Sequence, residues 1–275
     1  VSLEPCSHFG KTPPCSDLII KHKIPNVIVG SLDPNEKVAG KGIEKLQKAG
    51  IDVTVGVLEK KCKSLNKRFF SFHHLKRPYI ILKWAESSDG FLAPLLKLEK
   101  NPVWITNPYS RQLVHKWRTE EEAILVGTTT VLEDNPQLNS RDWFGKNPIR
   151  IAIDRLGKIP KNHEIKNKLQ KTIIFTEQEN TTSDENLIYE NCTFDGFLPK
   201  KIIDYLYQNG IQSIIIEGGQ KTLQSFIDKS LWDEARIFKG KNYFEKGTKA
   251  PTITGKIIVQ KNCLNDQLLI LKNHD

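Results

Sequence analysis

The chain contains no methionine, where ordinary usage would put about six in 275 residues. The expectation from that absence is a piece of a longer protein, or a sequence with some residues omitted. It also lacks any apolar run near the roughly 18 residues a membrane-spanning helix needs, which excludes such a helix within these residues. No charged-then-apolar stretch leads it. Cysteine is sparse and odd in number: Cys6, Cys15, Cys62, Cys192 and Cys263 are scattered along the chain. That argues against a disulfide framework, and a cytoplasmic protein with free or metal-bound thiols is expected. No strand-like run is followed by G-x-G-x-x-G, which argues against the standard dinucleotide fingerprint but not against a dinucleotide bound another way. No internal repeat is visible.

What is present suits a globular protein. With 38% apolar and 27% charged residues, the chain has ample core for one large domain or two smaller ones. Lys and Arg exceed Asp and Glu by nine. That surplus is either a solvated, lysine-rich surface or an attraction for anions such as nucleic acid or phosphorylated small molecules.

Strand and helix patterns alternate, as in an α/β layer. Val1 opens in a strand-like stretch. Residues 26–30 read as a buried strand, 37–49 as a helix, Asp52–Val57 as a strand and 58–74 as one amphipathic helix. "LKRPYI" at 75–80 reads as a junction, its proline stopping the helix. Strand-like runs resume at Tyr79–Lys83, Val103–Thr106, Ala123–Val126, Ile149–Ile153, Thr172–Thr176 and Ser213–Ile216. Between them, "TNPYSRQLVHKWR" (106–118) predicts a helix with Asn107 as cap, Pro108 in the first position and an apolar stripe through Leu113 and Trp117. "FLPKKIIDYLYQNG" (197–210) predicts another, stopped by Gly210. Residues 176–186 read as a polar surface loop, and 234–239, 256–260 and 266–271 as strands, some antiparallel. The organisation is two α/β units, about 1–74 and 78–275, of which the first is short for a complete domain.

"LEPCSHFGKTPPC" (3–15) places two cysteines next to prolines with eight residues between them. Prolines fix the local backbone and help hold thiolates, but two cysteines make half a zinc site. His8 is a candidate third ligand, and ordinary free thiols are the alternative.

"IIIEGGQKTLQSF" (214–226) ends a strand in Glu217-Gly218-Gly219 and then begins a helix. Glycines let backbone approach a ligand, and the helix start offers free amides to a phosphate; a tight turn is the plainer reading. Thr128, Thr129 and Thr130 precede a short helical stretch, as caps or as ligand contacts. Arg118, Arg141 and Arg150 are candidates for gripping an anion, with a surface role as the alternative for each. His115 reads as structural or surface, and Trp84, Trp117, Trp143 and Trp232 as core or interface.

The cysteine segment, with "DPNEKVAGKGIEKLQKAGI" (33–51), resembles the bifunctional deaminase–reductase family of riboflavin biosynthesis, the RibD type. "KWAESSDGFLAP" (83–94), "WITNPYSRQLVHKWRTEEEAILVGTTTVLEDNPQLNSR" (104–141) and the 214–226 stretch resemble its reductase half. The resemblance implies the C-terminal part of a cytidine-deaminase-like domain over 1–74, a linker over 75–78 and a dihydrofolate-reductase-like domain over 79–275. It implies Cys6 and Cys15 as Zn2+ ligands, with a histidine ligand and a catalytic glutamate expected upstream of Val1, so deamination is expected of the full-length protein and not of this chain alone. It implies NADPH as hydride donor, contacted by Ala85, Trp104, Thr130, Asp134 and the stretch Gly219, Gln220, Lys221, Thr222, Leu223, Gln224 and Ser225. It implies a phosphoribosylamino-uracil substrate, contacted by Arg118, Leu138, Arg141 and Glu217, whose ribose becomes a ribityl chain. Pro102 stands where many members carry a substrate-contacting serine, and "SSDG" (87–90) replaces the commoner "SLDG". Asp134 and Glu217 are the candidate catalytic carboxylates, for proton transfer or orientation, with a cap or an arginine partner as the alternative. The partners expected are small phosphorylated pyrimidines and a second copy of the chain, with neither nucleic acid nor membrane. A pterin or folate reductase and a basic zinc-binding module that touches nucleic acid are the rival readings.

Overall fold

The computed structural model describes residues 1–10, 12–35, 39–96, 103–179 and 181–274. The expectation for Pro102 lies outside them, as does part of the helix expected over 37–49. The chain divides into two compact units, Val1–Arg77 and Pro78–Asp275.

In the first unit, helix α1 (Cys15–Lys21) leads to strand β1 (Asn26–Val29), helix α2 (Lys41–Lys48), strand β2 (Asp52–Val55) and helices α3 (Glu59–Leu65) and α4 (Lys67–Leu75). β1 and β2 pair in parallel, and Val27, Val29, Leu46 and Ile51 form a small core between them and α2. Three expectations change here. α2 starts at Lys41 because the buried Glu4 carboxylate accepts the Gly40 and Gly42 amides at 2.9 and 3.0 Å. That anion fixes where the helix starts. The single helix expected over 58–74 breaks at Asn66, which sits at φ −99, ψ 22 and whose side chain donates to the Cys62 carbonyl at 2.9 Å beside its own N–H at 3.1 Å. Val1 makes no strand, although its ammonium donates to the Ile28 carbonyl at 2.7 Å and its carbonyl accepts Gly30 N–H at 2.8 Å.

The second unit contains β3 (Tyr79–Glu86), β4 (Phe91–Pro94), α5 (Pro108–Glu120), β5 (Ala123–Gly127), α6 (Thr128–Asp134), β6 (Ile149–Ile153), β7 (Thr172–Thr176), β8 (Leu187–Asn191), α7 (Leu198–Gln208), β9 (Ser213–Ile216), α8 (Gln220–Asp228), β10 (Glu234–Lys239), β11 (Gly247–Lys249), β12 (Lys256–Cys263) and β13 (Asp266–Lys272). Among the described residues they build a nine-stranded sheet in the order β12-β13-β10-β3-β9-β5-β6-β7-β8. In sheet order the strands from β10 to β8 run parallel, and β13, antiparallel to both β10 and β12, is the one strand of this sheet that runs the other way.

The central strands are buried on both faces, which explains their near-continuous apolar sequences. One face carries Ile80, Leu82 and Trp84 against Ile203 and Leu206 of α7 and Leu223 and Phe226 of α8. The other carries Tyr79 and Ile81 against Val114 and Trp117 of α5 and Val131 of α6. The strand expected over Val103–Thr106 does not form. The chain there runs as a coil into Asn107, whose N–H and side-chain amide both donate to the Asp266 carboxylate, at 2.9 and 2.7 Å. Asn107 also caps α5 as the sequence predicts, accepting Ser110 N–H at 3.0 Å with Pro108 next in line. The first-turn threonines do not cap α6. Gly127 holds the cap position and the Thr128 hydroxyl donates to the Ile153 carbonyl.

Candidate active site

Strand parity places the first two groups. On β3, Tyr79, Ile81, Lys83 and Ala85 share the face that α5 covers. Leu82 pairs with Ile216 of β9, so the next residues in each strand, Lys83 and Glu217, stand side by side. Glu217 continues β9 by one residue, its N–H donating to the Leu125 carbonyl at 2.9 Å. α5 crosses this face and delivers Arg118. Its Nε and Nη2 donate to the two carboxylate oxygens of Glu217 at 3.0 and 2.7 Å, a bidentate pair between two largely buried side chains. Arg118 Nη1 donates to the Asn139 carbonyl at 3.0 Å. Lys83 Nζ lies 3.7 Å from Glu217.

Charge balance decides the protonation states. Burial alone would raise the Glu217 carboxyl, but Arg118 and Lys83 outweigh it and hold it down at about 2. Burial lowers the Lys83 ammonium, reinforced by Arg118 and opposed by Glu217.

Beyond Glu217 the backbone is shaped for close approach. A Cβ on Gly218 would sit 2.6 Å from Val126 Cα and 2.8 Å from Gly127 N, so only glycine fits. Gly219 adopts φ +46 and opens α8, whose first amides have no partner within the helix. The side of Gly219 where a Cβ would stand faces Thr130 Oγ1 at 3.5 Å, and that of Gly127 faces Thr222 Oγ1 at 2.6 Å. Thr130, Gly219 and Thr222 thus meet at the C-terminal ends of β5 and β9, the edge of an open α/β sheet where ligands bind. This cradle, with the free amides at the start of α8 and the room the glycines leave, suits an anionic group such as a dinucleotide phosphate.

The remaining sequence candidates divide. Gln220 and Lys221 lie in the first turn of α8. Leu223 is fully buried in the core and its N–H is spent on the Gly219 carbonyl, so its side chain does not face the cradle. Gln224 is tied to Asp228 and Thr252, and the Ser225 hydroxyl to the Thr222 carbonyl. Ala85 follows Lys83 on the same face. Trp104 is exposed, with the Arg111 guanidinium 4.4 Å over its ring. Leu138 is buried and held at φ +53, so its side chain belongs to the core. Asp134 closes α6, a helix length of roughly 10 Å from Gly127.

Arg141 is exposed and donates to the Asn139 side chain at 3.2 Å. Arg150 does not grip an anion. It is 1% exposed, and its donors go to Thr172, Asn167 and the Glu164 and Gln170 carbonyls. Burial lowers it to about 10. Trp143 is partly exposed rather than core, while Trp84, Trp117 and Trp232 are buried. Lys83 is the residue sequence reasoning missed; its signal was a single cation inside the apolar run "YIILKWAE".

In the first unit, Cys15 N–H donates to Cys6 Sγ at 3.3 Å. A hydrogen bond to Cys6, with burial, pushes the Cys15 thiol up. The two thiols are neighbours, and soft donors of this kind suit two of the four ligands of a zinc site. Among the described residues no group of three or more His, Cys, Asp and Glu side chains is placed to hold a metal, so His8 completes no such group.

Comparison with known proteins places this geometry. The family model described as the RibD C-terminal domain matches residues 78–244. The riboflavin biosynthesis protein RibD of Aquifex aeolicus is 41% identical over 242 residues, which cover 86% of this chain and 67% of that protein. The RibD of Synechocystis is 34% identical, over 95% of this chain and 71% of that protein. Among solved structures, a diaminohydroxyphosphoribosylaminopyrimidine deaminase/5-amino-6-(5-phosphoribosylamino)uracil reductase from Thermotoga maritima superposes with a TM-score of 0.88 at 34% identity, over 99% of this chain and 78% of that one. This chain spans about two thirds of the length of the curated relatives it matches. On sequence, family model and structure together, it belongs to the RibD family.

Proposed function

We propose that residues 79–275 reduce 5-amino-6-(5-phosphoribosylamino)uracil to its ribityl form with NADPH, a step of riboflavin biosynthesis. The observation that carries this reading is the Lys83–Arg118–Glu217 cluster beside the Gly218–Gly219 cradle. Gly219, Gln220, Lys221 and Thr222 would hold the cofactor's phosphates, with Thr130 across from them; Ala85, Trp104 and Asp134 are assigned to it on family resemblance. NADPH, when bound, supplies a hydride.

The chain's own residues supply position and protons. Arg118 is spent on Glu217 and Asn139, so it orients the site, and the substrate phosphate falls to the exposed Arg141. Glu217 is ionised at neutral pH and accepts hydrogen bonds from ribose hydroxyls rather than acting as an acid. Lys83 Nζ is the proton donor. Burial weakens its hold on the proton, which suits delivery to the ring oxygen as the sugar opens. The experiment is NADPH oxidation by the whole chain on this substrate, followed by nicotinamide absorbance. Turnover lost in Lys83→Met, with NADPH binding kept, is expected. Full turnover in that variant overturns the assignment of Lys83, and no turnover in the unaltered chain with NADPH bound overturns the reductase reading.

We further infer that residues 1–74 are the C-terminal portion of a zinc-dependent deaminase domain, joined through 75–78. The Cys6 and Cys15 thiols support this, since they would hold zinc, whose chemistry when bound is activation of water. Zinc stoichiometry that falls in Cys6→Ser and Cys15→Ser alike is expected; stoichiometry unchanged in both removes the half-site. We place the protein in the cytoplasm, as a homodimer acting on small phosphorylated pyrimidines, a state that sedimentation checks.

A further inference from the structure

The segment from Asn139 to Asn147 surrounds an open groove of about 580 Å³. It lies along α5 and is pinned to it three times. His115 Nε2 meets Asp142 Oδ2 at 3.1 Å, the Lys116 ammonium lies 5.6 Å over the Trp143 ring, and a Cβ on Gly145 would strike Thr119. Ser140 closes the segment on itself by donating its N–H and hydroxyl to Asn147 Oδ1 at 2.9 and 2.7 Å.

Of these pins, His115 is the buried one: its side chain is 6% exposed, against 52% for Asp142. Its Nδ1 is buried without a hydrogen-bond partner. Among the described residues, the ring's one hydrogen-bonding contact to a side chain is therefore that of Nε2 to Asp142, with the Asn139 carbonyl also close enough to bear on it. Arg141 stands between two fixed points, Asn139, whose carbonyl Arg118 holds, and Asp142, which His115 holds.

We propose that His115 is a positioning residue for substrate: through Asp142 it fixes the 139–145 segment so that Arg141 presents its guanidinium to the substrate phosphate. The inference rests on the reductase reading above. The pair works with a neutral imidazole, whose Nε2–H donates to the Asp142 carboxylate. The charged groups around His115 explain why it stays neutral. Burial comes first, then Arg118 on its own helix and Arg141 on the facing segment; Asp142 and the Asn139 carbonyl oppose them, and the ring is held at about 4. Glu217 faces it from the end of β9. Protonation would set a third cation between Arg118 and Arg141.

Two measurements on the whole chain test this. The first is hydrogen exchange in His115→Ala: faster exchange confined to 139–147, with α8 unchanged, is expected, and unchanged exchange in 139–147 overturns the proposal. The second is reductase kinetics on the substrate and on its dephosphorylated nucleoside. For the phosphorylated substrate, KM is expected to rise about tenfold with kcat within about twofold, which is the signature of lost binding rather than lost chemistry. For the nucleoside the variant and the unaltered chain should match. Asp142→Ala should reproduce the effect, the double variant should add nothing, and His115→Gln, which keeps a donor, should restore part of it. Equal penalties on both compounds, or a loss of kcat alone, overturn the proposal. An unaltered chain without turnover defeats the reductase reading instead, and the exchange data still decide whether His115 holds the segment.

Discussion

Arg118 has two partners at once, Glu217 through Nε and Nη2 and the Asn139 carbonyl through Nη1. Removing it strands a buried carboxylate with Lys83 alone. Arg118→Ala is therefore expected to cost about 3 kcal/mol in urea unfolding, and Arg118→Lys part of that, because an ammonium cannot form the bidentate pair. The same groups predict how stability depends on acid. His115 has a folded value near 4 against an ordinary 6.5, so the unfolded chain binds the extra proton and stability falls as pH drops from about 6.5 to 4. Glu217, near 2 against an ordinary 4.5, carries the fall on from about 4.5 to 2. Unfolding midpoints measured across this range should show both stages, and Glu217→Gln should remove the lower one. These pairings were not legible in the sequence. Glu217 and Arg118 were each visible as candidates, but their partnership spans 99 positions and is made only by the crossing of α5 over β9. Lys83 was passed over because one lysine in an apolar strand carries no mark of what stands beside it.

At the scale of elements, the Gly218 turn is the least forgiving part of the site. A methyl group there meets backbone of β5, not a side chain that can swing away. Gly218→Ala is expected to destabilise the chain by about 1–3 kcal/mol and to weaken NADPH binding, read by thermal unfolding and by nicotinamide fluorescence. Local signals made such elements legible. Asn107-Pro108 marked the start of α5, Gly210 the end of α7, and continuous apolar runs the central strands. Two of the misreadings came where a distant group decided a local outcome. Glu4 trims α2 from 36 positions away, and the Asp266 carboxylate gathers Asn107, leaving no strand at 103–106.

For the whole molecule, the substrate proposed above is an anion and the chain carries a surplus of nine positive charges. KM for it is expected to rise with added salt while KM for the nucleoside stays level, because screening acts on the dianion. Sheet order was the least legible feature of all, since nothing local tells β3 that its neighbours are β9 and β10. That order governs how the protein emerges from the ribosome. β3 is made first among the nine strands, yet both its partners arrive more than 130 residues later, Tyr79 against Ser213 and Ile81 against Glu234. Until then this largely apolar strand has two bare edges. Nascent chains stopped before Ser213 should bind chaperones and aggregate, while chains stopped after Lys239 should not. Protection of β3 from proteolysis should therefore come late in synthesis, with the site, because the strand that carries Lys83 is enclosed only when the strand that carries Glu217 is complete.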